Sequence, residues 1–155
     1  MLVLTTKLLG VKKMEANDVV SEAEYADIII TLLSPPFLIS SIAKLVFIAF
    51  CVKHENELSR YYSRTKDFVD VFISNVSIKL SVHYQEIRQI VNMIDMLNKT
   101  SKVSVNGDNI KLRERFAFQT ENEFLRFCSS KEPNPIGEID RLDAKALIEE
   151  VLRYV

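Results

Sequence analysis

The chain has 155 residues, 48% of them hydrophobic and 26% charged. At roughly 100–200 residues per domain this predicts one domain over 1–155, with apolar content enough for a core, which excludes a disordered chain. Lys and Arg total 20 against 21 Asp and Glu, a net charge of −1, so no global charge draws the chain to nucleic acid or anionic lipid. Two cysteines, Cys51 and Cys128, are too few for a disulfide scaffold and are expected as reduced core thiols.

Only three glycines occur, about 2% against an average of roughly 7%. So few glycines leave little room for tight turns or a glycine-rich phosphate cradle, and helices are favoured. Residues 1–16 fit either a short strand or a helix. Asn17-Asp18 is a plausible cap for a helix over Val19 to Leu33, with Glu22, Glu24 and Asp27 toward the end where the helix dipole prefers acids. Ser34-Pro35-Pro36 stops that helix and starts the next, expected over about 36–54 and apolar nearly all round, as at the centre of a bundle. Residues 53–67 mix four basic with three acidic side chains and read as a solvated exit.

Phe68, Val69, Phe72, Ile73 and Val76 keep helical spacing, whereas Ile78, Leu80 and Val82 also fit a short strand. Tyr84, Ile87, Ile90, Val91, Ile94 and Leu97 predict a helix firmly. Lys102 to Val105 and Ile110 to Leu112 flank Asn106-Gly107-Asp108-Asn109, the composition of a tight hairpin. Helix, helix, hairpin is the order of a winged-helix unit. Thr120 with Glu123 matches a capping box for a helix to about Ser129. Lys131 to Gly137 reads as a plain loop, and Asp140 or Asp143 as the cap of a last helix striped by Ala144, Leu147, Ile148, Val151, Leu152 and Val155. The expected fold is mainly α: N-terminal helices over 18–62, a winged-helix-like unit with a small β-hairpin over 63–115, and C-terminal helices over 116–155.

The apolar run Ile28 to Val52 is long enough on paper to cross a bilayer, but Pro35-Pro36 divides it and Lys44 interrupts the remainder. A buried helix is expected instead. Met1 to Gly10 lacks the basic start and small-residue cleavage site of an export signal, so the expectation is a cytoplasmic protein with no membrane contact.

Motifs for chemistry are sparse. Cys51 and His54 stand i, i+3 and could form half a metal site, but neither His83 nor Cys128 supplies an obvious second pair, so no metal is expected. A Cys51–His54 nucleophile pair would lack the exposed, electropositive setting that activates a thiol. The carboxylate pairs Glu55/Glu57, Glu121/Glu123 and Glu149/Glu150 sit in charge-mixed stretches and read as solvated faces. GxxxxGK[ST], GxGxxG and GxSxG are missing. The expectation is no enzyme and no cofactor. Across 99–115, Lys99, Lys102, Lys111, Arg113 and Arg115 outnumber Asp108 and Glu114, so the wing is a candidate phosphate contact. The helix before it offers only Arg88 against Glu86 and Asp95 between residues 84 and 98, a poor reader of a polyanion.

The proline-broken segment Leu33-Ser34-Pro35-Pro36-Phe37-Leu38-Ile39, the Ile87 to Leu97 helix feeding the Lys102 to Leu112 hairpin, and the acid-rich helix from Ile139-Asp140-Arg141-Leu142 to Glu149-Glu150-Val151-Leu152 stand in a suggestive order. Together they resemble the small middle component of ABC-type three-component (Lamassu-type) bacterial defence systems. The resemblance runs through most of residues 20–155 by pattern and size. It departs where the family often carries a basic, proline-flanked segment, here the mixed-charge Lys53 to Asp67. It implies a non-enzymatic bridging or regulatory subunit, joining an SMC-like ATPase to an effector that is often a nuclease. Candidate partner-interface residues are Leu147, Ile148, Val151 and Leu152, and candidate partner or DNA contacts on the wing are Lys102, Lys111 and Arg113. A winged-helix DNA-binding regulator is the alternative expectation.

Overall fold

In the computed structural model, which describes residues 19–54, 68–115, 119–131 and 134–153, the chain first forms helix α1 over residues 19–33. Its buried residues Tyr25, Ile28, Ile29, Leu32 and Leu33 recur at i, i+3, i+4, i+7 and i+8, a single apolar stripe. The Ser34 amide donates to the Thr31 carbonyl at 3.1 Å and the Ser34 hydroxyl to the Ile30 carbonyl at 2.6 Å, closing the helix. The Pro35–Pro36 bond is cis, and Leu38 stands at φ +50° with its side chain in solvent. Ile39 then returns to the core, its amide on the Leu32 carbonyl at 3.0 Å.

Helix α2 spans Ile42–His54, so it starts six residues later than expected. Pro36 does not open it, because residues 39–41 run instead beside the hairpin: Ser41 bridges Asn109, and the Ile110 amide donates to the Ser40 carbonyl at 2.9 Å. The first turn of α2 is capped from the hairpin. The Asp108 carbonyl accepts from the Ile42 amide at 2.8 Å, its Oδ1 from the Ala43 amide at 3.0 Å, and its Oδ2 from the Ser41 hydroxyl at 2.6 Å. A carboxylate there also meets the positive end of the helix dipole. Leu45, Ile48, Ala49, Phe50, Cys51 and Val52 are all buried, and α2 packs against most of the later helices, as a central helix should. Lys44, its one interior charge, donates to the Asp140 carbonyl at 2.6 Å.

Helix α3, Phe68–His83, is continuous, which resolves the ambiguity over residues 78–82. Phe72, Val76 and Leu80 point inward at i, i+4 and i+8, and Ser77 between them donates to the carbonyls of Ile73 and Val151, both at 2.9 Å. After the single residue Tyr84, helix α4 runs over Gln85–Lys99 and buries Ile90, Met93, Ile94 and Leu97. It ends with Ser101 at φ +61°: the Ser101 amide donates to the Asn98 carbonyl and the Lys102 amide to the Leu97 carbonyl. That is a Schellman ending with serine in the left-handed position.

Strands β1 (Val103–Asn106) and β2 (Asn109–Leu112) pair antiparallel, Val103 with Leu112 and Asn106 with Asn109, as the sequence predicts. The two-residue turn places Gly107 at φ +61°, the first central position, where glycine suits a type II′ turn. Val103, Val105, Ile110 and Leu112 share the inward face.

Helix α5 covers Glu123–Ser129, but its cap is Asn122, whose side chain accepts from the Leu125 amide at 3.0 Å. Thr120 accepts instead from the Asn122 amide at 3.1 Å, so the expected Thr120–Glu123 box does not form. Asparagine is the stronger cap and stands next to the helix. The expected loop over 131–137 holds the start of a short helix α6, Pro135–Asp140, capped by Asn134 with Pro135 in its first turn. Helix α7, Ala144–Arg153, follows Asp143, whose carbonyl accepts from the Leu147 amide at 2.9 Å.

The fold is therefore mainly helical with one small antiparallel sheet among the described residues, and one contiguous core runs from Tyr25 to Val151. Among the same residues no helix is long and apolar enough to cross a membrane. The expected Asn17-Asp18 cap, the Glu55/Glu57 pair, the mixed-charge stretch over 55–67 and Val155 lie outside the described residues.

Candidate functional site

Three chain segments bring a polar cluster to one side of the core. The last turn of α2 delivers Lys53 and His54, the end of α3 delivers His83, and the first turn of α4 delivers Glu86, because only Tyr84 separates the last two helices. Helix α1 adds Ser21 and the buried Tyr25. Glu86 Oε1 accepts from Lys53 Nζ at 2.7 Å and from the Tyr25 hydroxyl at 3.1 Å. Lys53 also donates to the Ser21 hydroxyl, which in turn donates to Gln89 Oε1 at 2.6 Å, and the Lys53 ammonium lies 4.4 Å from the centre of the Tyr25 ring.

The second carboxylate oxygen faces imidazoles. Glu86 Oε2 lies 2.5 Å from His54 Nε2 and 3.7 Å from His83 Nδ1. The two imidazole rings stack 4.6 Å apart at 14°, and Phe50 closes the other side of His54 at 4.9 Å. His54 Nε2 is buried, with Glu86 Oε2 as its polar neighbour. Burial holds the His54 imidazole below its usual pKa; the charge and hydrogen bond of Glu86 oppose this, while His83 and Lys53 add to it. Burial pushes the Glu86 carboxyl upward, but hydrogen bonds from Lys53 and Tyr25 and the charges of His54 and Lys53 outweigh it, and its pKa falls below the carboxylate norm. Burial, then the Glu86 charge, raises the Tyr25 phenol.

This cluster overturns the expectation that Lys53 and His54 begin a solvated exit: their side chains are only 14% and 16% exposed. The apolar residues of α2 conceal the reason, because the partner Glu86 lies more than 30 positions away. His83 and Glu86 at i, i+3 are the one local signal. Cys51, expected to share a face with His54, is not part of the cluster; both Cys51 and Cys128 are buried, and burial pushes the Cys128 thiol up to about 12.

The sequence-derived candidates fall in two places. On α7, Leu147 and Val151 are buried against the rest of the fold, Ile148 is half-buried, and only Leu152 is open, 56% exposed. Lys102, Lys111 and Arg113 are exposed and share the outward face of the hairpin, where the Arg113 amide meets the Lys102 carbonyl at 3.0 Å and Lys111 stands opposite Ser104. The hairpin tip is not free, since Asp108 caps α2.

A groove of about 1060 Å³ opens between α1, the end of α2 and α5. Val19, Val20, Ala23, Phe124 and Phe127 are among its apolar lining residues, and Glu24, Asp27, Glu121 and Glu123 supply carboxylates. Lys53 is the one cation among its lining residues, and that ammonium is already engaged by Glu86. Sequence reading treated Glu121 and Glu123 as a solvated pair and could not see that α1 places Glu24 and Asp27 across from them.

No protein-family model, curated protein or solved structure matches this chain.

Proposed function

We propose that this chain is a non-enzymatic bridging or regulatory subunit of an SMC-like ATPase complex in antiphage or antiplasmid defence, acting in the cytoplasm and linking the ATPase to an effector subunit. The observation that carries this reading is the groove beside α1. A lining that combines apolar side chains with four carboxylates suits an amphipathic helix that is apolar on one face and basic on its flanks, the helix-in-groove mode of recognition. Val19 and Val20, 61% and 60% exposed, line the groove as apolar surface outside the buried core. Leu152 supplies a second exposed apolar point on α7, away from the part of the stripe the core consumes. Co-expression with an SMC-like ATPase subunit tests the reading: the two should elute together, and clean monomeric behaviour beside that partner contradicts it.

A second reading, a winged-helix DNA-binding regulator, draws on the three cations of the hairpin's outward face. Three phosphate contacts would give a log K against log salt slope of about −2.7. The outward face of α4 argues against it, because Val91 and Met96 are exposed there and Lys99 is held by Asp95 at 2.8 Å. Duplex DNA that migrates unretarded with the protein at low salt removes this reading.

A further inference from the structure

We propose that His54 Nε2, His83 Nδ1 and Glu86 Oε2 form a binding site for a divalent transition-metal ion of the zinc class. One ligand atom from each of the three residues lies within 4.8 Å of the others, with Glu86 Oε2 2.5 Å from His54 Nε2 and 3.7 Å from His83 Nδ1, and the residues come from the ends of α2 and α3 and the start of α4. Two imidazoles and one carboxylate form a recurrent three-ligand set for zinc, with a fourth position left to water or another donor.

The division of labour on the Glu86 carboxylate points the same way. Lys53 and Tyr25 both take Oε1, which fixes the group and turns Oε2 toward the imidazoles. Outer hydrogen bonds that orient a ligand in this manner are characteristic of metal sites. Oε2 receives no such bond from Lys53 or Tyr25 and faces the buried His54 Nε2 at 2.5 Å. An imidazole nitrogen facing an anionic oxygen is a pair of ligand atoms that a metal ion can bridge in place of a proton.

Coordination asks for a modest adjustment. Bonds of about 2.0–2.1 Å in a tetrahedron place ligand atoms about 3.3 Å apart, so the 2.5 Å contact opens and the wider separations close. The stacked rings carry their lone pairs side by side, so the His83 ring must turn about its last torsion, which is broad and soft. His83 is 43% exposed and free to do so, and the same exposure gives the ion a path and a water ligand. The Lys53 ammonium opposes a second cation, so the ion should be exchangeable by chelator rather than locked in.

The test uses the full chain stripped with chelator. Zinc is titrated by calorimetry, and cobalt(II) serves as the visible probe. One zinc per chain is expected, with d–d bands of a four- or five-coordinate cobalt, no thiolate-to-cobalt band, and a higher Tm in the presence of metal. His83→Ala should bind zinc at least tenfold more weakly while keeping the metal-free Tm, and His83→Gln, which keeps a polar side chain, should match it. No heat and no cobalt spectrum at micromolar metal would overturn the proposal, as would unchanged affinity in both variants or a thiolate band. The result bears on the site alone and leaves the groove untouched.

Discussion

His54 is the side chain whose protonation state most affects the polar cluster. Because its folded pKa lies below the ordinary 6.5, the folded chain binds fewer protons than the unfolded one in the window just below that value. Its contribution is complete above pH 6.5 and is lost as pH falls. Glu86, also depressed, contributes stability that is present above its ordinary 4.5 and is lost as pH falls further. Tm of the metal-free chain should therefore hold from pH 8 to 7, decline below 6.5, and fall again below 4.5. Burial of His54 is the main source of the upper decline, so His54→Phe should remove most of it, while the lower one should shrink but persist, because the Lys53 and Tyr25 hydrogen bonds still depress Glu86. An unchanged upper decline in that variant, followed by differential scanning calorimetry, would contradict this account of the cluster.

At the scale of elements, the hairpin and α2 depend on each other through Asp108. Asp108→Ala removes the carboxylate that accepts from the Ala43 amide and the Ser41 hydroxyl, while the backbone carbonyl still holds the Ile42 amide, and should cost about 1–2 kcal/mol in urea unfolding, with Asp108→Asn costing less. An Asp108→Ala chain as stable as the parent would show the cap to be idle. On α7, Leu147→Ala should cost about 2–5 kcal/mol, because its side chain is 1% exposed, whereas Leu152→Ala should stay within about 0.5 kcal/mol. Equal effects would mean that α7 does not pack as described.

The same elements show which features were legible in sequence. The core helix over 19–33, the α4 stripe and the hairpin follow from local rules: a period of 3.6, a period of 2, and a Gly-containing turn. The start of α2 was not legible, because Pro36 is a good first-turn residue locally and only the distant Asn109 and Asp108 hold residues 39–41 extended. Helix α6 was hidden because Asn-Pro and a nearby Gly signal a loop as readily as a capped first turn. Thr120 and Glu123 had the right spacing, but Asn122 competed and won. The polar cluster was the least legible, since His54, His83 and Glu86 meet only after three helices have packed.

Among the described residues, the buried side chains of the helices join one core in which α2 packs against most of the later helices, and what is left outside includes an acidic groove, a basic hairpin face and scattered apolar side chains. The groove combines apolar area with a consistent sign of charge, which is what a protein partner can read and a solvated face does not need. The central claim, that this surface docks a basic amphipathic helix of an SMC-like ATPase, is tested most directly by titrating the purified ATPase subunit with the parent chain and with the Glu24→Lys, Glu121→Lys double variant. The account predicts a complex whose affinity drops at least tenfold on charge reversal, about 1.4 kcal/mol or more, and weakens as salt rises. Equal affinity of the two chains, or no binding by either, would contradict it.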